Sequence, residues 1–188
     1  MAYPRDQAGN LAAPIILVFA DESATADQIL GVLAHEVGHV LQERVLSNEG
    51  YIASIFNEGF ATWAAGPYWL TWHGMTSFQT AVADYIAAGT YLPLHQNDGF
   101  LDTLSESAAS RFGKDCLNRR DIIYTEWAAF IDYLVDEHGR ETLYSLFQVP
   151  PLLNDDDEGT FRKPNFPAVY GSSLERLESE WLDSISRD

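Results

Sequence analysis

The sequence contains a single cysteine, Cys116, among its 188 residues. One cysteine cannot form an intrachain disulfide, and it cannot build the cysteine-rich zinc modules that need several thiolates. Any metal ion bound by this chain would therefore have to be held by histidine and carboxylate side chains.

Basic side chains are also scarce, because 11 lysines and arginines stand against 28 aspartates and glutamates, giving a formal charge of −17. A surface with this charge repels phosphate groups, which argues against nucleic acid and against anionic membranes as partners. The charge does not indicate which reaction the protein catalyses, if any.

Long hydrophobic runs are missing as well. No stretch approaches the roughly 18 apolar residues that a membrane-spanning helix needs. The first residues, Met1 to Asp6, contain no basic segment followed by an apolar one, so no signal peptide is visible. The composition does not identify the compartment, and the oligomeric state is also left open.

The sequence does contain enough apolar material for a sizeable core, since 46% of its residues are hydrophobic and 13% are aromatic. The length predicts one domain over residues 1–188. Residues 14–20 are an apolar, β-rich run and predict the only convincing strand. Residues 67–74 predict an aromatic connector, and residues 149–172 predict a long loop. Helical periodicity predicts a mainly α fold, with helices at about 25–46, 54–65, 76–88, 101–109, 120–137 and 141–147 and from Ser173 onward.

The first of these helices carries the pattern H-E-x-x-H from His35 to His39. Residues four apart lie on one face of a helix, one turn above the other, so the two imidazoles are side by side as a metal site requires. Glu36 points to a neighbouring face, where it can reach a metal-bound water and act as a general base.

A second carboxylate, Glu58, follows with 18 residues between it and His39. Two helices joined by a short loop can pack antiparallel, which would bring Glu58 back to the histidine pair. The first helix is so apolar that it is expected to be buried nearly all round, and burying two histidines and a glutamate there is costly unless they are paired. Gly38 and Gly59 leave room for a close approach between helices. These features together predict a site in which a metal ion is bound by His35, His39 and Glu58.

The combination of H-E-x-x-H, 18 residues and Asn57-Glu58-Gly59-Phe60-Ala61 resembles the gluzincin metallopeptidases, the group that includes thermolysin and the membrane alanyl aminopeptidases. The resemblance is closest to the bacterial peptidase MA-like domains and spans roughly residues 15–186. Residues 124–139 are similar to a later helix of that family, and residues 173–181 are similar to its closing helix.

The resemblance implies a zinc-dependent peptidase that acts on peptide or protein substrates. It implies His35, His39 and Glu58 as zinc ligands, Glu36 as general base and proton shuttle, and Tyr124 as a donor to the oxyanion. Thermolysin-like enzymes have an aspartate four residues after the third ligand, whereas Thr62 stands there in this chain. The sequence also lacks the G-x-M-E-N segment with which aminopeptidases of the group hold a free N-terminus, so an endopeptidase is favoured.

The resemblance further implies an α+β zincin-like fold in which strands precede the active-site helix. This chain has room for only one or two strands, so either the sequence is truncated at its N-terminus or the β element is short and reduced. Peptidase MA-like proteins are often extracytoplasmic, which makes that compartment an expectation from the family alone.

Two alternatives remain open at this point. The first is a binding or regulatory module that keeps the zinc site with weak catalytic activity or none. The second is a purely structural helical domain. Metzincins are disfavoured, because Gln42 and Val45 stand where that group has a glycine and a third histidine.

Overall fold

The computed structural model describes residues 16, 22–42, 55–96, 116–153 and 162–186. The strand predicted at residues 14–20 falls outside this part of the chain except for Ile16, and so does the helix predicted at residues 101–109. The N-terminal β element and the single-domain boundary therefore stay predictions.

The described residues are mainly helical, which confirms the predicted fold class. One 3-10 turn spans Leu94–Gln96, and two short antiparallel strands pair Leu152 with Lys163 and Leu153 with Arg162. No helix in the described ranges is long and apolar enough to cross a membrane. The regular elements are α1 Ala26–Leu41, α2 Ile55–Ala65, α3 Pro67–His73, α4 Phe78–Ala88, α5 Cys116–His138, α6 Arg140–Ser145, β1 Leu152–Leu153, β2 Arg162–Lys163, α7 Phe166–Tyr170 and α8 Leu174–Ile185.

Helix α2 lies at the centre of the fold, between α1 on one side and α5 on the other. Eight of its 11 residues are buried. Both contacts depend on glycine: a Cβ atom at Gly38 of α1 would lie 2.7 Å from the Cα atom of Ala61, and one at Gly59 would lie 2.2 Å from the Cβ atom of Trp127. The prediction that these two glycines allow close helix approach is confirmed.

Three helices begin at hydroxyl caps. Thr25 accepts a hydrogen bond from the backbone N–H of Gln28 at the start of α1, with 3.2 Å between the two atoms. Ser77 caps α4 and Ser173 caps α8 in the same way. Each cap satisfies one of the backbone N–H groups that a helix leaves unpaired at its N-terminus.

The prediction that α1 is buried nearly all round is wrong. Its buried residues include Gly31, His35 and Gly38, which form one narrow face toward α2 and α3. These residues are small or polar, so the apolar side chains fall on the opposite face. Five of those side chains are exposed by 36% to 45%: Ile29, Leu30, Leu33, Val37 and Leu41.

Two segments predicted as irregular contain regular structure. Most of the predicted connector at 67–74 forms α3, which ends at Gly74, because Pro67 occupies the first turn of a new helix after Gly66 turns the chain with a φ angle of 48°. Residues 149–172 contain β1, β2 and α7 among their described positions. Asn165 begins α7 by accepting a hydrogen bond from the backbone N–H of Ala168.

The core also contains two buried glutamates, Glu126 of α5 and Glu178 of α8. One oxygen of Glu126 accepts a hydrogen bond from the N–H of Leu92 at 2.9 Å, and its other oxygen has no partner among the described residues. Glu178 accepts hydrogen bonds from the N–H groups of Leu94 and His95 and lies 2.6 Å from Nδ1 of His95. Burial raises the pKa of Glu126 well above its usual value, and the charge of Glu178 adds to this. These carboxyl groups hold the 3-10 turn and the residues just before it against α5 and α8.

Candidate metal centre

The predicted ligands come from α1 and α2, which pack antiparallel. Contacts between the two helices run in opposite chain directions, because Gln42 meets Asn57 near one end and His35 meets Thr62 near the other. This arrangement brings Glu58 of α2 to the face of α1 that carries His35 and His39, as the spacing predicted.

Three side-chain atoms converge at this point. Nε2 of His35 lies 3.2 Å from Oε2 of Glu58 and 3.2 Å from Nε2 of His39, and the third distance, from His39 Nε2 to Glu58 Oε2, is 3.5 Å. A tetrahedral zinc ion with bonds of about 2.0–2.1 Å to nitrogen and oxygen holds its ligand atoms about 3.3 Å apart. The triangle of ligand atoms therefore has the size that zinc requires.

The outer nitrogen of each imidazole has an oxygen partner in the protein. Nδ1 of His35 lies 3.1 Å from Oγ1 of Thr62, and Nδ1 of His39 lies 2.9 Å from Oε1 of Gln42. Gln42 itself donates from its amide nitrogen to the carbonyl oxygen of Asn57 at 3.2 Å, so its Oε1 atom faces His39. When each Nδ1 carries the proton and donates it, each Nε2 presents a lone pair to the metal.

Charge is concentrated in this cluster. Burial alone would raise the pKa of the Glu58 carboxyl, but its hydrogen bonds with His35 and His39 outweigh burial and hold that pKa well below its usual range. Burial lowers the pKa of His39, whereas the hydrogen bond and charge of Glu58 raise it, and the net direction is upward. Glu58 is thus an anion at neutral pH, as a metal ligand must be.

Two aromatic rings pack against His35, and one arginine contacts the nearer side chain of α5. The ring of Tyr124 from α5 is nearly parallel to the His35 imidazole, at 6° with centroids 5.7 Å apart, and Trp69 lies 5.6 Å away. Burial raises the pKa of the Tyr124 phenol, and the charge of Glu58 raises it further. Arg120, one helical turn before Tyr124, donates from Nη2 to the phenol oxygen at 3.0 Å.

Glu36 follows His35 directly and is half-buried. It is not one of the three converging groups, which agrees with its prediction as a non-ligand. Its carboxylate is near enough to His39 to help raise the pKa of that imidazole. The residue is therefore beside the ligand cluster and not within it.

The structure thus places all five sequence-predicted site residues at one location: His35, His39 and Glu58 converge, Tyr124 stacks on His35, and Glu36 stands beside His39. Sequence reasoning did not assign roles to Gln42 or Arg120. Helical spacing could have indicated Gln42, three residues after His39, and Arg120, four residues before Tyr124. For Trp69 the sequence predicted mainly a core position, with the lining of a cleft as the alternative, and its approach to His35 depends on how α3 packs.

Chemically, the cluster offers two imidazoles and one carboxylate, with both outer nitrogens fixed by the protein. This donor set suits zinc in catalytic sites, where three protein ligands leave one position for water or substrate. The residues present therefore fit a zinc ion.

The sequence model of Peptidase family M48 matches residues 15–183, which is most of the chain and includes all five site residues. No match was found among curated proteins or among solved structures. Enzymes of this family are zinc-dependent metallopeptidases, in agreement with the His35, His39 and Glu58 cluster. The chain therefore belongs to peptidase family M48.

Proposed function

We propose that this protein hydrolyses peptide bonds within polypeptide substrates, with a zinc ion held by His35, His39 and Glu58. The observation that carries the proposal is the triangle of ligand atoms with sides of 3.2, 3.2 and 3.5 Å. When bound there, zinc would supply the Lewis acid that activates a water molecule and polarises the scissile carbonyl.

Glu36 is the general base in this proposal. Its carboxylate is half-buried beside His39, and no hydrogen bond within the described residues engages it. It can therefore accept a proton from the attacking water and later deliver that proton to the leaving amine.

Tyr124 is the second catalytic residue. Its ring stacks on His35, and its phenol interacts with both Glu58 and Arg120, so the O–H group lies at the edge of the metal cluster. A neutral phenol in this position can donate a hydrogen bond to the negative charge that develops on the carbonyl oxygen. A phenol is protonated at neutral pH, and the raised pKa of Tyr124 keeps it protonated in more alkaline solution as well.

Cleavage within chains is favoured over cleavage at the N-terminus. The sequence carries no G-x-M-E-N segment of the kind that gluzincin aminopeptidases use to hold a free amine. The finer resemblance to gluzincins and to the peptidase MA-like domains belongs to the same proposal. It is supported by Glu58 as third ligand and by the position of Tyr124.

The test is the substitution Glu36→Gln, which keeps the size of the side chain and removes the base. We expect peptide cleavage to fall by roughly 10²- to 10⁴-fold, while the protein still binds one zinc ion per chain. Glu175→Gln is a matched control, because Glu175 is an exposed glutamate on α8. It should leave both cleavage and zinc content unchanged.

Cleavage that survives Glu36→Gln would contradict the mechanism. A wild-type protein that binds zinc but cleaves nothing in a diverse peptide library would instead indicate a zinc-binding regulatory module. A purified protein that binds no zinc, even when zinc is supplied, would indicate a structural domain.

A further inference from the structure

Arg120 and Tyr124 occupy successive turns of α5, and their side chains interact in two ways. Nη2 of Arg120 donates to the phenol oxygen of Tyr124 at 3.0 Å. The guanidinium carbon also lies 5.4 Å from the centroid of the Tyr124 ring, within the range of a cation–π contact. Arg120 is itself exposed, so this pair forms part of the rim of the metal centre.

The hydrogen bond fixes the role of each partner. A guanidinium group has donors and no acceptor, so the phenol oxygen must accept from Arg120. Tyr124 has a single phenol proton, and it cannot point toward the group from which the oxygen accepts. The proton must therefore point away from Arg120.

The Tyr124 ring is stacked on His35, and the phenol is close enough to Glu58 for the charge of that carboxylate to raise its pKa. An ionised carboxylate only accepts hydrogen bonds, so it attracts the phenol proton that is turned away from Arg120. The proton of Tyr124 thus faces the ligand cluster, which is the side on which a substrate carbonyl has to approach His35 and Glu58.

We propose that Arg120 is a positioning residue that keeps the phenol proton of Tyr124 directed toward the reacting carbonyl. This inference rests on the proposed peptidase function. Arg120 acts through Tyr124 and does not contact the substrate. Without the guanidinium, the phenol loses its donor partner and can rotate its proton toward solvent.

The experiment compares Arg120→Gln, Tyr124→Phe and the double variant with the wild type. The substrates are a peptide with an acetylated N-terminus and an amidated C-terminus, and the same peptide with a free C-terminal carboxylate. We expect Arg120→Gln to lower kcat by roughly tenfold to a hundredfold and to leave KM unchanged, since a misdirected catalytic group costs that much. In the Tyr124→Phe background the same substitution should have no further effect, because the group that Arg120 positions is gone.

A second measurement does not depend on turnover. A phosphinic peptide, whose tetrahedral group resembles the reacting carbonyl, is titrated calorimetrically into each zinc-loaded variant. Its Kd should rise in Arg120→Gln by about the same factor as kcat falls, and the double variant should match Tyr124→Phe. Arg176→Gln is the matched control for the loss of a positive charge, because Arg176 is exposed on α8 and paired with Glu180. It should behave as the wild type.

Several outcomes would overturn the inference. One is an unchanged kcat in Arg120→Gln. Another is that Arg120→Gln lowers kcat by the same factor in the wild type and in the Tyr124→Phe variant. A third is a rise in KM confined to peptides with a free C-terminal carboxylate, which would make Arg120 a substrate-binding residue. If the wild type cleaves no peptide but binds the phosphinic peptide, the Kd values of that peptide in the variants decide whether the inference holds. If it does neither, the proposed function fails, and the inference fails with it.

Discussion

Replacing Gly38 with alanine tests whether the spacing between α1 and α2 sets the geometry of the metal site. The added Cβ atom would lie 2.7 Å from the Cα atom of Ala61, about 0.7 Å short of the 3.4 Å at which ordinary van der Waals contact begins. The obstructing atoms belong mainly to the backbone of α2, so no side-chain rotation can relieve the clash. The two helices must move apart.

The expected loss can be worked out from this displacement. Overpacking costs about 1–3 kcal/mol, and the better helix propensity of alanine offsets about 1 kcal/mol of that. A net loss of up to about 2 kcal/mol would lower Tm by up to roughly 4–8 °C in a chain of this size. The metal site tolerates less displacement than the fold does, because ligand distances must hold to about ±0.2 Å. Separating Glu58 from His35 by about 0.7 Å should therefore weaken zinc binding at least tenfold.

The assay is a competition titration of the metal-free protein with a chromophoric zinc chelator, combined with thermal unfolding followed by circular dichroism. Gly31→Ala is a matched control, because it makes the same change on the same helix but meets the side chain of Trp72 on α3 at 2.9 Å. It should leave zinc affinity unchanged. If Gly38→Ala binds zinc as tightly as Gly31→Ala does, the spacing of α1 and α2 does not control the site.

Two further predictions concern buried polar groups. Thr62→Val keeps the shape of the side chain but removes the acceptor for Nδ1 of His35. We therefore expect zinc affinity to fall about 10- to 100-fold in the chelator titration. Thr62→Ser keeps the hydroxyl and should lose less zinc affinity, and equal losses in the two variants would contradict the role of the hydroxyl. Glu126→Gln should stabilise the fold at pH 8 and have little effect near pH 4, as measured by thermal unfolding across this range. Because burial raises the pKa of Glu126 in the folded state, the unfolded chain releases this proton first. Wild-type stability should then fall by about 1.4 kcal/mol for each pH unit between the unfolded and folded pKa values, and a wild type and variant with the same pH dependence would contradict this.

The candidate metal ligands could be predicted from the sequence because a helix fixes the relation between His35 and His39 without reference to the rest of the fold. Glu58 required only one further assumption, the antiparallel packing of two helices joined by a short loop. The hydroxyl caps of α1 and α8, at Thr25 and Ser173, were equally local. In each case the residues that determine the structure are close in sequence.

The features that the sequence did not reveal depend on which faces meet. The apolar residues of α1 do not indicate that the helix packs through Gly31 and Gly38, so its exposed side was predicted as buried. Residues 67–74 were predicted as a connector, although proline at position 67 is compatible with the start of a helix. The role of Arg120 emerges only when α5 is placed beside the ligand cluster.

The position of α2 has a consequence for protein engineering. Its residue Glu58 belongs to the candidate metal cluster, and the next residue, Gly59, sits against Trp127 in α5. A transplanted pair consisting of α2 and of α1 extended to Gln42 would carry all three candidate ligands and both histidine partners, yet it would leave α2 without the helix that Gly59 packs against. The metal site is therefore not a portable module, and any scaffold that is to receive it must supply a third helix with a matching surface.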